Sequence, residues 1–454
     1  MLSSLSVIGL GKLGAPMTAC FAGRGFRVHA VDINPQKVDC IGRGVPPVHE
    51  PGLADLLKEC SERIIGTRDI ESAVRMSDAT FIVVATPSDP EGGFSLRYAL
   101  PTAEAVGRAL AMKKSFHLVV LTSTVMPGST GGAVHAALER ASGKKCGVDF
   151  GLCYSPEFIA LGTVIRDFYN PDFLLIGESD SRSGEILSEI YRRTCKNSPA
   201  IARMNFINAE ITKLAVNTYI TTKISYANML ARLCEKLPDA DVNVVTDALG
   251  LDTRIGAKYL RGAVSYGGPC FPRDNRAMAA LASRVGASSG LAEATDVFNR
   301  AQIKSLAETV KSHYEGQGAI GILGLTYKPN TDVTEESFGL LLAQELLSSN
   351  LPVIVFDPSA DAGRAFGGNK GIRIAGSADE CIAESSVVVL ATPWQAFRDL
   401  PASTWVPSAK FGSRTVIDCW RALAHLQGLD GLTYVKLGFG SSAEKPAAVS
   451  SSAD

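Results

Sequence analysis

The segment best equipped for covalent chemistry is 266–274, which reads Tyr-Gly-Gly-Pro-Cys-Phe-Pro-Arg-Asp. A cation and a carboxylate, Arg273 and Asp274, follow Cys270 within four positions. An electropositive, partly exposed setting lowers the pKa of a thiol and makes the thiolate a nucleophile. The glycines allow the backbone to approach a bound molecule, and the prolines stiffen the turn. The alternative is that Cys270 is a small packed residue in a Gly/Pro loop.

Three further polar residues have suitable chemistry. Lys213 and Asn217 lie four residues apart on a helix predicted from about 204 to 236, so they project from one face. An ammonium beside an amide suits an anionic or hydroxyl-rich ligand, although a solvated stripe would show the same pattern. Glu157 follows a strand-like run and a proline, where it could face a cleft or simply be a surface acid.

The elements that must position these groups begin with a glycine-rich turn. A short apolar strand runs into Gly-Leu-Gly-Lys-Leu-Gly at 9–14, a helical run follows, and the next strand ends at Asp32. This order favours dinucleotide binding, because the glycines admit a pyrophosphate and the helix N-terminus attracts it. Asp32 can accept hydrogen bonds from a ribose diol and would repel a 2′-phosphate, which favours NAD over NADP. Thr86, Ser123 and Thr124 either line the cleft or merely end their strands.

The C-terminal third repeats this logic, with a strand that enters a turn at Gly324 and another that ends at Asp357. A full G-x-G-x-x-G is missing there, so we expect a ligand other than a dinucleotide; Tyr327, Lys328 and Arg421 would suit a nucleotide diphosphate. The predicted fold class is therefore α/β, with two Rossmann-like doubly wound parallel-sheet domains joined by a helical middle domain. In that middle segment we expect the long central helix and shorter helices at 275–283 and 291–312.

Composition excludes several classes of function. The chain has 454 residues, a net charge of −1 and a sequence pI of about 6.6, which gives no sign of a nucleic-acid or membrane partner. The first residues carry no signal-peptide pattern, and no apolar run is long enough to cross a bilayer. The ten cysteines are scattered, without a C-x-x-C pair or a Cys/His cluster. We expect a cytoplasmic protein with reduced thiols and no metal site.

Taken in order, the motifs are similar to those of the UDP-glucose/GDP-mannose dehydrogenase family, over about residues 5–425. The matching motifs are Gly9-x-Gly-x-x-Gly14, Thr86-Pro, Ser123-Thr-Val, Ser155-Pro-Glu-Phe, Glu210-x-x-Lys213-x-x-x-Asn217, Asp252-x-Arg254-Ile-Gly, Gly267-Gly-x-Cys270-Phe-Pro-x-Asp274 and Gly324-Leu-x-Tyr-Lys328-x-x-Thr-Asp332. The resemblance implies an NAD-binding Rossmann domain at 1–200, a helical central and dimerisation domain at 201–312 and a Rossmann-like nucleotide-sugar (UDP) binding domain at 313–440. A Ser/Ala-rich tail at 441–454 is predicted to be disordered.

The resemblance also implies an activity, closest to that of a UDP-glucose 6-dehydrogenase. Enzymes of the family oxidise the C6 alcohol of a nucleotide sugar to a carboxylate with two NAD. The thiolate corresponding to Cys270 forms a thiohemiacetal with the aldehyde, a second hydride transfer gives a thioester, and water hydrolyses it. By position, the catalytic residues are Cys270, Lys213 and Asn217 (which stabilise the oxyanion), and Asp274, Glu157 and Thr124 (which hold or activate the alcohol or the water).

Two sets of contacts are implied by position. The cofactor contacts are Gly9, Leu10, Gly11, Lys12, Leu13, Gly14, Asp32, Lys37, Thr86, Ser123, Thr124 and Arg273. The substrate contacts are Glu157, Phe158, Ile159, Ala160, Lys213, Asn217, Arg254, Tyr259, Leu260, Gly262, Gly267, Cys270, Tyr327, Lys328 and Arg421. In relatives the arginine that matches Arg254 can reach the neighbouring subunit, which implies a homodimer or higher homo-oligomer built on the long helix.

Three positions depart from the family pattern. Leu161 stands where a second carboxylate is common, which leaves Glu157 as the acid that activates water. Glu335 replaces a cofactor-facing arginine, and the sequence around Arg421 differs from the commoner Asp-x-Arg-Asn. The alternatives are a two-electron enzyme that stops at the aldehyde, a GDP-mannose or UDP-N-acetylhexosamine substrate, and a non-enzymatic relative that binds nucleotide sugar and senses redox state.

Overall fold

The computed structural model describes residues 2–367, 371–407 and 411–440. These residues form two compact units. The first runs to Val216 and also includes Ala280–Ala287, and the second comprises Asn217–Ala279 and the chain from Ser288 onward. The three-domain boundaries at 200 and 312 stay a prediction beside this division. The tail predicted to be disordered, 441–454, lies outside the described residues.

The first unit is built on a sheet of eight described strands. They are β1 Ser4–Ile8, β2 Arg27–Val31, β3 Ile64–Thr67, β4 Ala79–Ile82, β5 Leu118–Leu121, β6 Gly151–Tyr154, β7 Phe173–Glu178 and β8 Ala200–Met204. Their order is β3-β2-β1-β4-β5-β6-β7-β8, and only the β6–β7 pair of this sheet is antiparallel. Strands β1, β4, β5 and β6 are buried throughout and mostly apolar, as expected for a sheet covered by helices on both faces.

The helices between these strands are α1 Gly14–Gly23, α2 Pro35–Gly42, α3 Leu53–Cys60, α4 Ile70–Arg75, α5 Ala99–Ala111, α6 His135–Ser142, α7 Val164–Tyr169 and α8 Ser181–Thr194. Short 3₁₀ and π-helical turns occupy Ser61–Arg63 and Thr130–Val134. One core cluster contains buried residues of α1 and α8, including Phe21 and Tyr191. Helices α1 and α8 therefore share one hydrophobic core.

Four helices follow: α9 Phe206–Glu235, α10 Val242–Leu251, α11 Phe271–Arg284 and α12 Gly290–Ser312. The long helix is confirmed, since α9 has 30 residues and continues from the first unit into the second. The start of α11 corrects the prediction, which placed a stiff turn over 271–274 and began the helix at 275. Proline fits the first turn of a helix, because the N–H that it lacks would have no helical partner there.

The second unit contains six described strands: β9 Ala319–Leu323, β10 Val353–Phe356, β11 Arg373–Ile374, β12 Ser385–Leu390, β13 Arg414–Asp418 and β14 Leu432–Lys436. All its pairs are parallel, in the order β11-β10-β9-β12-β13-β14. The helices are α13 Phe338–Ser348, α14 Ala362–Ala365, α15 Ala378–Ala383, α16 Gln395–Arg398 and α17 Ala402–Trp405, with a 3₁₀ turn at Ala424–Leu426. This strand order repeats that of β1–β6, so the predicted fold class is confirmed.

Within the part of the chain that the structure describes, no helix combines the length and the apolar character that a bilayer crossing requires. The same residues contain no disulfide bond and no group of three or more side chains suited to hold a metal ion.

Candidate active site

The glycine-rich turn of the first unit has the geometry that a dinucleotide needs. Gly9 has a φ of +106°, and a Cβ on Gly14 would lie 1.8 Å from the Gly9 carbonyl oxygen, so both positions require glycine. A Cβ on Gly11 would meet nothing within 4 Å, which leaves open space beside the backbone. The turn therefore fits a pyrophosphate at the N-terminus of α1.

Asp32 follows β2 and completes this half of the site. Its carboxylate accepts hydrogen bonds from Leu10 N at 2.7 Å and from Asn34 N at 2.8 Å, and Lys37 Nζ lies 3.8 Å away. A carboxylate offers about four lone-pair positions, so capacity remains for the two hydroxyls of a ribose. These residues fit NAD, for which Asp32 would supply ribose contacts and the backbone N–H groups of the turn would supply pyrophosphate contacts.

The hydroxyl residues after β4 and β5 bond to the chain itself. Ser123 Oγ donates to the Val84 carbonyl at 2.6 Å, and Thr86 Oγ1 donates to the Thr124 carbonyl at 2.7 Å. These bonds hold the carboxyl ends of two neighbouring strands together. Contact of Thr86, Ser123 or Thr124 with a cofactor stays a prediction.

Glu157 lies just beyond β6 and is not the solvated surface acid that the sequence left open. Burial raises the pKa of its carboxyl to about 7, against the opposing effects of the Lys213 ammonium and a hydrogen bond from Tyr191. Lys213, which is buried on α9, donates from Nζ to the Glu157 carbonyl at 2.7 Å. Its ammonium also lies 4.5 Å from the centre of the Phe158 ring. One lysine therefore fixes the start of the loop that carries the acid.

In the second unit, the thiol and the predicted Asp274 are joined through the first turn of α11. Cys270 is exposed and directly precedes the helix. Asp274 N donates to the Cys270 carbonyl at 2.8 Å, and the buried Asp274 carboxylate accepts from Asn217 Nδ2 at 2.6 Å. Arg273 Nε lies 3.7 Å from that carboxylate. The structure thus brings Cys270, Asp274 and Asn217 together within the second unit.

The glycine pair before Cys270 packs against the chain itself, and contact of Gly267 with a substrate stays a prediction. A Cβ on Gly267 would lie 2.2 Å from the Glu336 carbonyl oxygen. Gly268 has a φ of +84° and donates from N to the Glu335 carbonyl at 3.1 Å. The pair therefore joins the thiol loop to the segment that follows β9.

Two asparagines that sequence reasoning missed hold the thiol loop in place. Asn299 on α12 accepts from Tyr266 N at 2.9 Å and donates to the Tyr266 carbonyl at 3.0 Å. Asn275 Nδ2 donates to Tyr266 Oη at 3.2 Å and to the Phe271 carbonyl at 3.1 Å. Only the tertiary fold places Asn299, 29 positions after Cys270, next to the loop, and no local pattern marks it.

Several predicted substrate contacts have partners of their own. Arg254 is exposed and paired with Asp252 at 2.6 Å. Arg421 donates to Asp241 and to the carbonyls of Leu437 and Gly438. The remaining predicted residues lie as follows: Ile159 and Ala160 in the loop after Glu157, Tyr259 exposed with a φ of +64°, Leu260 buried, Gly262 against the Ala227 carbonyl, and Tyr327 with Lys328 after β9. Nucleotide contacts by these residues stay predictions.

The backbone of the loop that carries Leu161 is bound by a carboxylate from elsewhere in the chain, which the sequence did not reveal. Buried Glu50 accepts from Gly162 N at 2.9 Å and from Val164 N at 2.8 Å. It therefore satisfies backbone donors at the start of α7. Leu161 itself is partly buried. Because a leucine has no carboxylate, Glu157 is the acid of this loop.

Comparison with known proteins adds three kinds of similarity. Models of the UDP-glucose/GDP-mannose dehydrogenase family match in consecutive parts: the NAD binding domain over residues 3–195, the central domain over 207–301 and the UDP binding domain over 321–425. The chain is 34% identical to UDP-glucose 6-dehydrogenase AglM of Haloferax volcanii over 432 residues, which cover 94% of this chain and 98% of that protein. It is 33% identical over 420 residues to GDP-mannose 6-dehydrogenase of Pseudomonas aeruginosa, with 89% and 94% covered.

Among solved structures, the chain is similar to a UDP-glucose dehydrogenase from the hyperthermophilic archaeon Pyrobaculum islandicum. The TM-score is 0.86 at 32% sequence identity, over 97% of this chain and 98% of that one. The similarity therefore extends through both units and is not confined to a single nucleotide-binding fold.

Proposed function

The chain belongs to the UDP-glucose/GDP-mannose dehydrogenase family, and from this membership we propose that it oxidises the C6 alcohol of UDP-glucose to the carboxylate. The family establishes an oxidoreductase that uses NAD and a nucleotide-sugar substrate. The identity of the sugar, the four-electron course and the residue roles below are the proposal. The observation that carries it is the exposed Cys270 at the start of α11, beside Asp274 and Asn217.

Cys270 is the nucleophile in this proposal. The C6 alcohol first loses a hydride and its hydroxyl proton and becomes the aldehyde. The thiolate adds to the aldehyde carbon, and the thiohemiacetal that forms loses a second hydride and its hydroxyl proton to leave a thioester. Water hydrolyses the thioester, which releases the carboxylate and restores the thiol. The N-terminus of a 14-residue helix stabilises negative charge next to it, which suits a thiolate. NAD supplies the chemistry that side chains lack, since its nicotinamide accepts a hydride.

Lys213 and Asn217 stabilise the charge that develops on the sugar oxygen. Both are buried, and each is held by a short hydrogen bond, to the Glu157 carbonyl and to Asp274 respectively. Donors that are fixed before the reaction stabilise an oxyanion without reorganisation at that moment. Asp274, anchored in this way, is placed to hold the alcohol.

Glu157 activates the water that hydrolyses the thioester. With a pKa of about 7 it is partly ionised at neutral pH, the condition under which a general base is most effective. Leu161 cannot take this role, so hydrolysis depends on one carboxylate of this loop. In this proposal, Glu157 therefore carries the hydrolysis step that distinguishes the four-electron reaction from an enzyme that stops at the aldehyde.

A substrate panel followed by NADH absorbance tests the proposal. UDP-glucose should give two NADH per sugar and UDP-glucuronate, with GDP-mannose and UDP-N-acetylhexosamines turned over far more slowly. One NADH per sugar would instead indicate a two-electron enzyme, and faster turnover of GDP-mannose would change the substrate. Binding of UDP-glucose without NADH from any sugar would favour a non-enzymatic relative.

Replacement of the thiol tests the covalent role directly. Cys270→Ser should abolish net acid formation, by at least about a thousandfold, while leaving UDP-glucose binding within about twofold. Cys40→Ser is the matched control, since Cys40 is a partly exposed cysteine that lies on α2. Acid formation by Cys270→Ser at the rate of Cys40→Ser would refute the mechanism.

We also propose a homodimer formed through α9. Tyr219, Tyr226 and Leu233 are spaced by seven residues along this helix and are 64%, 49% and 53% exposed, so they form an apolar stripe on one side of it. Sedimentation equilibrium should give twice the mass of 48.0 kDa, and a monomer at micromolar concentration would contradict this proposal. The cytoplasmic location stays a prediction.

A further inference from the structure

Two buried hydroxyls connect Glu157 to the core of the first unit. Tyr191 Oη donates to Glu157 Oε1 at 3.4 Å and lies 2.8 Å from Ser155 Oγ. Tyr191 on α8 and Ser155 just after β6 are each 1% exposed. A buried phenol and a buried alcohol thus form a chain of hydrogen bonds that ends on the acid proposed to activate water.

The direction of these bonds depends on the proton of Glu157. An ionised carboxylate can only accept, so Tyr191 must donate to it, and the Tyr191–Ser155 bond must then be donated by Ser155. When Glu157 gains a proton, the carboxylic acid can donate to Tyr191, and Tyr191 can donate to Ser155. Either hydroxyl of the Tyr191–Ser155 pair can be the donor at the observed distance, so both directions are compatible with it.

Tyr191 keeps its own proton throughout. Burial raises the pKa of its phenol well above the usual value, and the nearby Glu157 raises it further. Lys213 on α9 is the other titratable group that shifts the pKa of Glu157, and it lowers that pKa. Glu157 in turn raises the pKa of Cys20 on α1 and of Cys195 after α8. Burial raises the pKa of both thiols, to about 11 for Cys195 and further for Cys20, so neither of them ionises near neutral pH.

We propose that Tyr191 is a positioning residue for Glu157, and that Tyr191 and Ser155 form a hydroxyl relay whose direction reverses when Glu157 is protonated. The relay supplies a donor to the base before it takes a proton from water and an acceptor to the acid afterwards. Without such a relay, a catalytic carboxyl loses a hydrogen-bond partner in one of its two states. This inference rests on the proposed function, because it assigns the base of thioester hydrolysis.

Tyr191→Phe removes only the hydroxyl. A hydrogen bond donated to the ionised carboxylate is stronger than one between the neutral groups, so the Tyr191 hydroxyl lowers the pKa of Glu157, and its loss should raise that pKa from about 7 by roughly one unit. The base must be ionised, so carboxylate formation in the variant should be about fivefold slower at pH 7 and within twofold of wild type at pH 9. Tyr169→Phe is the matched control, since Tyr169 donates to the Cys20 carbonyl in the same core but has no bond to Glu157.

A double-mutant cycle tests the relay itself. If Ser155 acts only through Tyr191, the pH profile of Ser155→Ala/Tyr191→Phe should coincide with that of Tyr191→Phe, whereas additive shifts would overturn the relay. An unchanged profile in Tyr191→Phe would refute the positioning role.

A second readout does not need activity. The infrared band of the protonated Glu157 carboxyl, taken as the difference between a protein and its Glu157→Gln counterpart, reports the pKa of this group in folded protein. The pH midpoint at which this band disappears should be higher in Tyr191→Phe than in wild type and unchanged in Tyr169→Phe. An unchanged midpoint in Tyr191→Phe would overturn the inference. If wild type forms no carboxylate from any sugar, the proposed function fails instead, while this titration still decides whether Tyr191 acts on Glu157.

Discussion

The two Rossmann-like halves of the chain contain the same backbone contact at different spacing. In the first unit, Gly9 has a φ of +106° and a Cβ on Gly14 would lie 1.8 Å from its carbonyl oxygen. In the second unit, Gly324 has a φ of +102° and a Cβ on Gly339 would lie 2.0 Å from the Gly324 oxygen. Both pairs join the end of a first strand to the start of a helix. Five positions separate the first pair and fifteen the second.

The two halves also differ in the hydrogen bonds of the aspartate that follows the second strand, Asp32 in the first unit and Asp357 in the second. Asp32 accepts two hydrogen bonds from backbone N–H groups in the first unit. Asp357 accepts from the backbone of 325, 326, 359 and 360, from Thr326 Oγ1 and from Trp394 Nε1. These donors exceed the roughly four lone-pair positions of a carboxylate, so Asp357 is saturated. Asp357 therefore holds the backbone of the longer segment after Gly324, whereas the equivalent Asp32 can accept hydrogen bonds from a ribose.

The comparison explains why only the first half suits a dinucleotide. Asp32 has acceptor positions left for a diol, whereas Asp357 has none within the described structure. The additional residues between Gly324 and Gly339 instead carry Tyr327 and Lys328 and contact the thiol loop through Glu335. The second half therefore links a predicted nucleotide-binding segment to Cys270.

The largest predicted difference in stability is between variants of the two aspartates, Asp357 and Asp32. Asp357→Asn would point an amide N–H₂ at several buried donors and should lower the free energy of unfolding by about 3 kcal/mol. Asp32→Asn should lower it by less than about 1 kcal/mol and weaken NAD binding roughly tenfold. Urea denaturation and NAD titration of both variants measure this. Equal destabilisation by the two substitutions would remove the distinction drawn from their hydrogen bonds.

The glycine pairs should show a smaller and more symmetrical effect. Gly14→Ala and Gly339→Ala each force a Cβ onto a carbonyl oxygen and should destabilise their own unit by about 2 kcal/mol. Gly11→Ala is the control, because its Cβ would meet no protein atom. It should keep wild-type stability and yet weaken NAD binding, since it fills the space beside the turn. A stable Gly339→Ala would mean that the two turns are not equivalent.

The smallest predicted loss of stability concerns the indole of Trp394, which donates a hydrogen bond to Asp357. Trp394 Nε1 donates to Thr326 Oγ1 at 3.1 Å and to Asp357 Oδ2 at 3.2 Å, so Trp394→Phe should cost about 1 kcal/mol and leave NAD affinity unchanged. In the Asp357→Asn background the same substitution should cost less, because the shared acceptor has already been altered. Additive losses in thermal or urea unfolding would show that the indole acts through packing alone.

Local patterns in the sequence predicted the main parts of both halves. The turn at 9–14, Asp32 and the strand that ends at Asp357 all lie where short-range rules place them. The start of α11 was missed, since Pro272 looks like a turn residue although it fits the first turn of a helix. Gly339 was missed as the partner of Gly324 because a fixed spacing was expected, and Asn299 and Tyr191 because long-range contacts leave no local pattern.

The sequence alone determined the alternation of strands and helices, the dinucleotide turn and the types of reactive side chain, because these depend on neighbours within a few positions. Only the tertiary structure decided the environments of those side chains. Burial and the contacts of Tyr191 and Lys213 bring the pKa of Glu157 to about 7, and six donors saturate Asp357. Desolvation and hydrogen-bond saturation depend on residues far apart in the chain, so they exist only once it has folded.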